Sequence, residues 1–448
     1  MIELTRENAL TLKADLAARV QACFDRGIIL PTILNPTISP TWWWVPGRVE
    51  VFGKHTDYGG GPSLVGALPR GFLIGGRRRD DGIVRVLDSG DQSTFELDLK
   101  TGVTSPADVF GWRRYVNILA RRLMRDFPGA ALGADLALGS DLPRASGMSS
   151  SSALVVGVAN ALITLAGLDR RADFTEAIPT RADLGGYFGC LENGLTFGPF
   201  PGDGGVGTFG GSEDQTAILC SRPGFLSAFT YMPVRHMADV AVPDGWVFVF
   251  ASSGIAAEKA GRAQSLYNRA SLGVRALIEL WRAHAGPIES LTAAIATDPD
   301  LEARLRSLID AHPVEGWGAQ ELHTRLTHFS RELPRVAEAV RAFSRGDAEE
   351  LGRLASESHR DADQLLKNQL PETNALVEIA CATGAFAASA FGAGFGGSVW
   401  ALVDSERLGM TADQFGERWL TVYRSTFADH AAKSMSFAAR PGIPLTRL

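Results

Sequence analysis

The sequence predicts an α+β fold built in two domains. Strand-like segments and helical segments are intermixed without the regular strand–helix–strand alternation of a doubly wound sheet. Strand signals dominate the first half and helical periodicity the second, with the change near residues 222–236. A length of 448 residues suits two or three domains, and 45% hydrophobic content is enough to give them cores. We therefore expect an N-terminal domain over residues 1–225 and a C-terminal domain over 226–448.

The elements follow in order. Apolar residues at helical spacing (Leu10, Leu12, Leu16, Val20, Cys23, Phe24) predict an opening amphipathic helix within residues 3–26. Pro46-Gly47 reads as a turn signal, and the period-two alternation from Arg48 to Phe52 as the strand behind it. Gly71–Gly76 and Ile83–Leu87, joined through Asp80-Asp81-Gly82, predict a hairpin closed by an Asp-Gly turn. Arg77, Arg78 and Arg79 beside that turn read as a solvated rim. A helix near Trp112–Arg125, a strand at Ala134–Leu138 and a helix near Ser150–Ala166 come next. Phe188–Ser212 is rich in glycine and reads as a flexible linker, although it ends in Ser212-Glu213-Asp214-Gln215, which leads an apolar segment; its stretch near 198–208 would reshape a neighbouring pocket or form a lid. Trp246–Ala251 is a buried strand; residues 257–383 read as helices broken near Gly286-Pro287, His312-Pro313 and Pro371; Val399–Val403 is a further strand.

Composition excludes several classes of function. Lys plus Arg number 44 against 50 Asp plus Glu, a formal charge of −6, which argues against nucleic-acid and anionic-membrane partners. No apolar run approaches the roughly 20 residues of a membrane span, and the N-terminus lacks a signal-peptide pattern. Four scattered cysteines without Cys-x-x-Cys spacing point to reduced thiols and a cytoplasmic protein.

Three glycine-bearing constellations carry the chemistry. Pro46–Tyr58 packs Arg48, Lys54, His55 and Asp57 onto the tip of a strand, a set of donors and acceptors suited to a polyol; the plain alternative is a polar surface loop. Asp141–Leu154 runs from a turn through Ser149, Ser150, Ser151 and Ser152 into an apolar helix, whose first N–H groups and dipole suit an anion. An ordinary N-cap explains one serine but not four, and the absence of Gly-Lys-Ser/Thr excludes a Walker-type loop. Phe391–Ser398 holds four glycines in six residues but precedes a strand, so it fails the context of a dinucleotide-binding loop while still implying close backbone approach.

In this order the three constellations resemble the signatures of the GHMP small-molecule kinase superfamily and, within it, the galactokinase family. Supporting matches are Gly111-Trp112 with Tyr115-Val116, Gly211 through Asp214-Gln215, and Tyr267-Asn268, so the resemblance covers residues 41 to 405. It implies an N-terminal domain like the second domain of ribosomal protein S5, a ferredoxin-like C-terminal domain, and a site between them. It also implies an ATP-dependent, Mg²⁺-dependent sugar 1-kinase acting on the anomeric hydroxyl of galactose or a related sugar; a monomer is one expectation, and the sequence identifies no assembly surface. By the same resemblance Asp214 is the proton acceptor and Arg48 the cation between it and the phosphate. Lys54, His55, Asp57, Gly211 and Tyr267 would contact sugar. Trp112 would pack on adenine, with Ala145, Gly147, Met148, Ser149, Ser150, Ser151 and Ser152 around the ATP phosphates; Ser151 and Glu192 would ligate Mg²⁺.

Departures from the family pattern bear on the substrate. Lys54 replaces a glutamate that contacts the sugar's C6 hydroxyl, Glu50 replaces an asparagine, Ala145 a glycine and Ser398 a cysteine. Lys54 leads to a uronate 1-kinase as the alternative if its ammonium enters the pocket, or to an unchanged neutral hexose if it turns away to pair with Glu50. A sugar- and ATP-binding sensor without turnover, and a kinase of a non-sugar alcohol such as mevalonate or homoserine, are the other readings. The presence of both Arg48 and Asp214 favours turnover, and the His55–Tyr58 cluster with Tyr267 favours a sugar.

Overall fold

The computed structural model describes residues 4–25, 39–100, 109–143, 146–256 and 261–448. Helices α1 (Ala9–Leu12) and α2 (Ala14–Asp25) stand where one opening helix was expected, and the chain breaks at Lys13, whose ammonium reaches Pro69 O and Asp141. Strands β1 (Thr41–Phe52), β2 (Ser63–Arg78), β3 (Ile83–Asp88) and β4 (Thr94–Asp98) follow. After α3 (Trp112–Asp126) come β5 (Ala134–Ser140), α4 (Ser150–Ala166), α5 (Ala172–Ala177), α6 (Arg181–Asn193), α7 (Glu213–Cys220), β6 (Phe225–Thr230) and β7 (Arg235–Ala241). These strands form one sheet in the order β4-β3-β5-β2-β1, and β6 and β7 extend it from the N-terminal end of β2.

Two local expectations change here. Pro46-Gly47 does not precede the first strand; β1 runs through it from Thr41, and the register against β2 shifts between Pro46 and Arg48. Proline cannot donate to the ladder, so a bulge is the form in which β1 tolerates it, and bulges re-aim the side chains that follow. The expected hairpin between Gly71–Gly76 and Ile83–Leu87 does not form either. β5 lies between β2 and β3, antiparallel to one and parallel to the other. The Asp80-Asp81-Gly82 link is therefore a crossover. It is held by Arg79, buried and bonded to Asp81 and Asp135, rather than solvated; only Arg78 of the arginine run is exposed at the rim.

The second half supplies β8 (Trp246–Ser252), then α8 (Gly261–His284), α9 (Leu291–Thr297), α10 (Leu301–Ala311), α11 (Ala319–Arg345), α12 (Ala348–Asp361) and α13 (Pro371–Thr383). It ends with β9 (Ala387–Ala390), β10 (Ser398–Asp404), α14 (Ala412–Thr426), β11 (Met435–Ala439) and β12 (Thr446–Arg447). A four-stranded antiparallel sheet has the order β11-β8-β10-β9. Its pleat divides the sequence by parity: Val249, Ala251, Val399, Ala401 and Val403 face Leu376, Phe415 and Trp419 of α13 and α14. Phe248, Phe250, Trp400 and Leu402 face the other way, into the core shared with the first sheet, where the Phe52 and Trp400 rings meet edge-on at 6.2 Å. The C-terminal strand β12 returns to pair with β1. No helix among the described residues is long and apolar enough to cross a membrane, and the four cysteines are free thiols.

Candidate active site

The three glycine constellations converge between the sheets, where small residues let backbones touch. A Cβ on Gly47 would lie 2.7 Å from Met148 O, and one on Gly392 would lie 2.6 Å from Gly147 O. Arg48, re-aimed by the bulge, sits at this junction. Its Nε donates to Asp214 Oδ1 at 2.7 Å and its Nη1 to Gly147 O at 2.8 Å, so one guanidinium joins the carboxylate to the serine-rich turn. Asp214 is the second residue of α7, and its Oδ2 accepts from Ser152 Oγ at 3.1 Å. α4 begins after Ser149, which adopts φ 57 and provides no side-chain cap. The first N–H groups of a helix have no acceptor within the helix, which is the usual basis of an anion site.

Charge in the pocket is unbalanced. Glu50, Asp57, Glu192, Glu213 and Asp214 line it, with Arg48 as the one cation among the described lining residues. Burial lowers the Arg48 pKa, but Asp214, Glu213 and Glu50 together outweigh that and hold it charged. Burial, then the charges of Asp214 and Glu50, push the Asp57 carboxyl up to about 7. Burial followed by Glu50 and Asp57 raises Glu213 well above the usual carboxylate range. Burial also raises Glu50, against the pull of Arg48 and Lys54.

The opposite wall is built around His55, held at φ 57 where a side chain rarely sits. Its Nδ1 meets Tyr58 Oη at 2.7 Å and its Nε2 meets Asn368 Nδ2 at 3.1 Å, while Arg325 donates to its carbonyl. Asn368 is aimed there by a π-helical turn, Ala362–Leu366, and by Lys367 at φ 55. Tyr267 of α8 closes the wall, its ring 6.1 Å from that of His55. Asp57 stands against Gly211, where an added Cβ would come within 2.0 Å of its Oδ2. The glycine-rich stretch is pinned rather than loose. Asn193 bonds Gly210 N and Gly211 O, Asn268 bonds Phe209 N and Gly207 O, and Asp203 pairs with Arg121 and Arg125. It is a wall of the pocket, and its outer side borders an apolar chamber of about 720 Å³ that also contains Tyr231, Val234 and Ile278.

Most residues expected at the site come together here: Arg48, His55, Asp57, Ser152, Glu192, Gly211, Asp214 and Tyr267 all line the pocket. Gly147, Met148 and Ser149 lie beside it through the bonds to Arg48 and the uncapped helix end. Ser150 and Ser151 are half-buried in the first turn of α4 and do not line it. Trp112 opens α3, its Nε1 on Ser93 Oγ and its ring edge-on to Phe95, away from this pocket. Ala145 lies outside the described residues. Lys54 is the clear correction. It is buried with its Nζ on Ser358 Oγ at 2.8 Å, facing α12 and not the pocket. Burial lowers its pKa, resisted first by Glu332 and then by Glu50. Sequence reasoning missed Asn193, Asn368, Glu332 and Ser358, because single polar residues on long helices carry no local signal.

A metal has a partial fit to this donor set. No group of three His, Cys, Asp or Glu side chains among the described residues forms a cage. Mg²⁺, however, is commonly held by one or two carboxylates together with substrate phosphates. Glu192 and Asp214 with the Ser152 hydroxyl supply such hard oxygens beside the uncapped end of α4.

Comparison with known proteins agrees with the convergence of motifs. The family description "GHMP kinases N terminal domain" matches residues 114–189, "GHMP kinases C terminal" matches 339–419, and "Galactokinase galactose-binding signature" matches 36–78. The galactokinase of Chloroflexus aggregans is 29% identical over 81% of this chain and 84% of its own length. That of Streptomyces coelicolor is also 29% identical, with the same coverages of 81% and 84%. Among solved structures, Lactococcus lactis galactokinase complexed with galactose superposes with a TM-score of 0.74 at 22% identity, covering 97% of this chain and all (100%) of that one. Methanococcus jannaschii mevalonate kinase reaches 0.53 at 13% identity, over 91% and 100%.

Proposed function

We propose, from the premise that this chain is a galactokinase-like member of the GHMP kinase superfamily, that it is an ATP-dependent sugar 1-kinase. It transfers the γ-phosphoryl group to the anomeric hydroxyl of galactose or a related sugar. One observation carries the mechanism: Arg48 bridges Asp214 and the carbonyl of Gly147 in the phosphate-side turn.

Asp214 accepts the proton of the sugar hydroxyl as that oxygen attacks phosphorus, while Arg48 and Ser152 fix the carboxylate's orientation. The same guanidinium, fully charged, offsets negative charge on the transferring group. The uncapped N-terminus of α4 receives phosphate oxygens through backbone N–H groups and serine hydroxyls. Mg²⁺ bound with ATP would neutralise phosphate charge, and Ser152 and Glu192 would hold it. His55, Asp57, Gly211 and Tyr267 form the sugar wall, and Trp112 is assigned to adenine by resemblance. A protein acting in the cytoplasm on small molecules fits free thiols and an acidic surface charge.

The uronate reading loses its basis with Lys54 turned away and five carboxyls already facing the ligand. The test is an ATP-coupled screen of hexoses, amino sugars, pentoses and uronates, with the product identified by phosphorus NMR. A sugar 1-phosphate supports the proposal. Sugar binding without ADP formation from any acceptor makes the chain a sensor instead.

A further inference from the structure

We infer that Glu50 determines acceptor specificity, and that the preferred acceptor is an amino sugar whose free ammonium lies against Glu50. This rests on the sugar-kinase reading of the same pocket and names its substrate class.

The first support is unmet hydrogen bonding. Glu50 is 3% exposed and Gln215 2% exposed, and both line the pocket. Glu50 Oε2 accepts from Gly392 N at 3.3 Å, but Glu50 Oε1 has no donor among the described residues. Gln215 gives its amide to Glu192 Oε2 at 2.6 Å, and its own Oε1 is likewise without a donor. A buried acceptor lacking a donor costs about 1–3 kcal/mol, more when charged. Both unmet atoms are acceptors, so the complementary ligand brings donors.

The second support is charge. Five carboxyls line the pocket against the single guanidinium of Arg48, which is already bonded to Asp214 and Gly147. Lys54 lies behind Glu50, but its ammonium is on Ser358, and Glu332 receives Ser358 Oγ at 2.9 Å and offsets its charge. Glu332 is in turn bonded to Arg335, and Arg335 to Asp361, which also takes Arg331, so the Lys54 ammonium is engaged within its own layer and its pull on Glu50 is weaker than the burial that raises that carboxyl. Burial raises the Glu50 carboxyl even against the pull of Arg48 and Lys54, the direction expected of an acid whose charge the protein offsets only in part. A sugar hydroxyl brings one donor and no charge. An ammonium brings three donors and a positive charge, and bonds between ionised partners are roughly twice as strong as neutral ones. A uronate would bring a further acid into a pocket already lined by five carboxyls.

The experiment measures equilibrium binding by calorimetry without ATP, and kcat/KM with ATP, for galactose, 2-amino- and 6-amino-galactose, and galacturonate. We expect at least one amino sugar to bind about tenfold or more tightly than galactose, and galacturonate to bind more weakly than either. Glu50→Gln, which keeps the shape and removes the charge, should erase most of the amino-sugar advantage, and Glu50→Asp should retain part of it. Galactose binding as tightly as every amino sugar, or an advantage unchanged in folded Glu50→Gln, overturns the inference. The wild-type comparison decides even if the variants do not fold. Turnover separates this inference from the kinase reading. Galactose phosphorylated with no amino-sugar preference leaves the kinase standing and removes the inference. Tight amino-sugar binding with no phosphorylation of any sugar removes the kinase reading, and with it the acceptor role, while leaving Glu50 as the determinant of sugar binding.

Discussion

Lys54 Nζ lies 2.8 Å from Ser358 Oγ, so the side chain preceding His55 is an anchor between β1 and α12 and not part of the ligand wall. Glu332 of α11 completes the anchor by accepting from the backbone N–H groups of Gly53 and Lys54 at 3.0 and 3.3 Å. The residue that departs most in charge from the family pattern has thus been absorbed into the packing of β1 on the helical layer. A carboxyl that lines the pocket comes from Glu50, four positions earlier, on β1.

Removing that anchor should cost stability more than specificity. Lys54→Met leaves Glu332 with Arg335 as its one bonded cation among the described residues and should lower unfolding free energy by about 3–5 kcal/mol, read from urea denaturation. Lys54→Glu should be worse, and neither variant should gain or lose galacturonate as a substrate. A wild-type unfolding midpoint in Lys54→Met would show that the buried pair is energetically idle.

Asp214→Asn should abolish phosphoryl transfer while leaving the fold and ATP binding intact. Loss of a general base typically removes ~10²–10⁴ in rate. Wild-type turnover in this variant would move the role to Glu213, 3.7 Å from Arg48 Nε.

Gly211→Ala should raise the KM for sugar much more than that for ATP. The new Cβ would sit 2.0 Å from Asp57 Oδ2 and displace that carboxyl, with the helix ends around it unaffected. Equal rises in both KM values would mean that the whole wall has moved.

Of the two serines at the start of α4, Ser152 should matter more. Its hydroxyl fixes Asp214, whereas Ser151 does not line the pocket. Ser152→Ala should lower kcat and raise the Mg²⁺ requirement, and Ser151→Ala should change neither. If Ser151→Ala leaves the Mg²⁺ titration unchanged, that serine belongs to the helix turn alone.

Stability should respond to pH in an inverted sense at this site. The Asp57 carboxyl titrates at about 7 in the folded protein against 3.8 unfolded, so the folded form holds more protons between those values. Its contribution to stability is fully present below the unfolded value and falls as pH rises towards 7. Melting curves of ligand-free protein should show Asp57→Asn gaining relative to wild type between pH 5 and 8. Parallel pH profiles for the two proteins would place the folded Asp57 near the ordinary carboxylate range.

Much of the architecture was legible because it is periodic. The helix at Ser150–Ala166 and the strands around Trp246–Ala251 and Val399–Val403 read directly from apolar spacing. Strand pairing was not, since Gly71–Gly76 and Ile83–Leu87 look like a hairpin until β5, some fifty residues later, takes the place between them. The site divides in the same way. Arg48, His55, Asp57 and Asp214 sit in dense local motifs, while Asn193, Asn368, Glu332 and Ser358 are lone polar residues whose role depends on what they meet.

By itself the sequence determined the chemistry available: which side chains stand at the end of β1, which serines open α4, and which glycines permit close approach, because these follow from residue type and short-range spacing. Only the tertiary structure decided where the charges point. Glu50 and Lys54 lie four residues apart, on the end of β1 and just past it, yet one lines the pocket and the other meets Ser358. No local rule sets that choice. It depends on Glu332 and Ser358 arriving from helices some 280 and 300 residues downstream, which offer the buried ammonium the partners it needs.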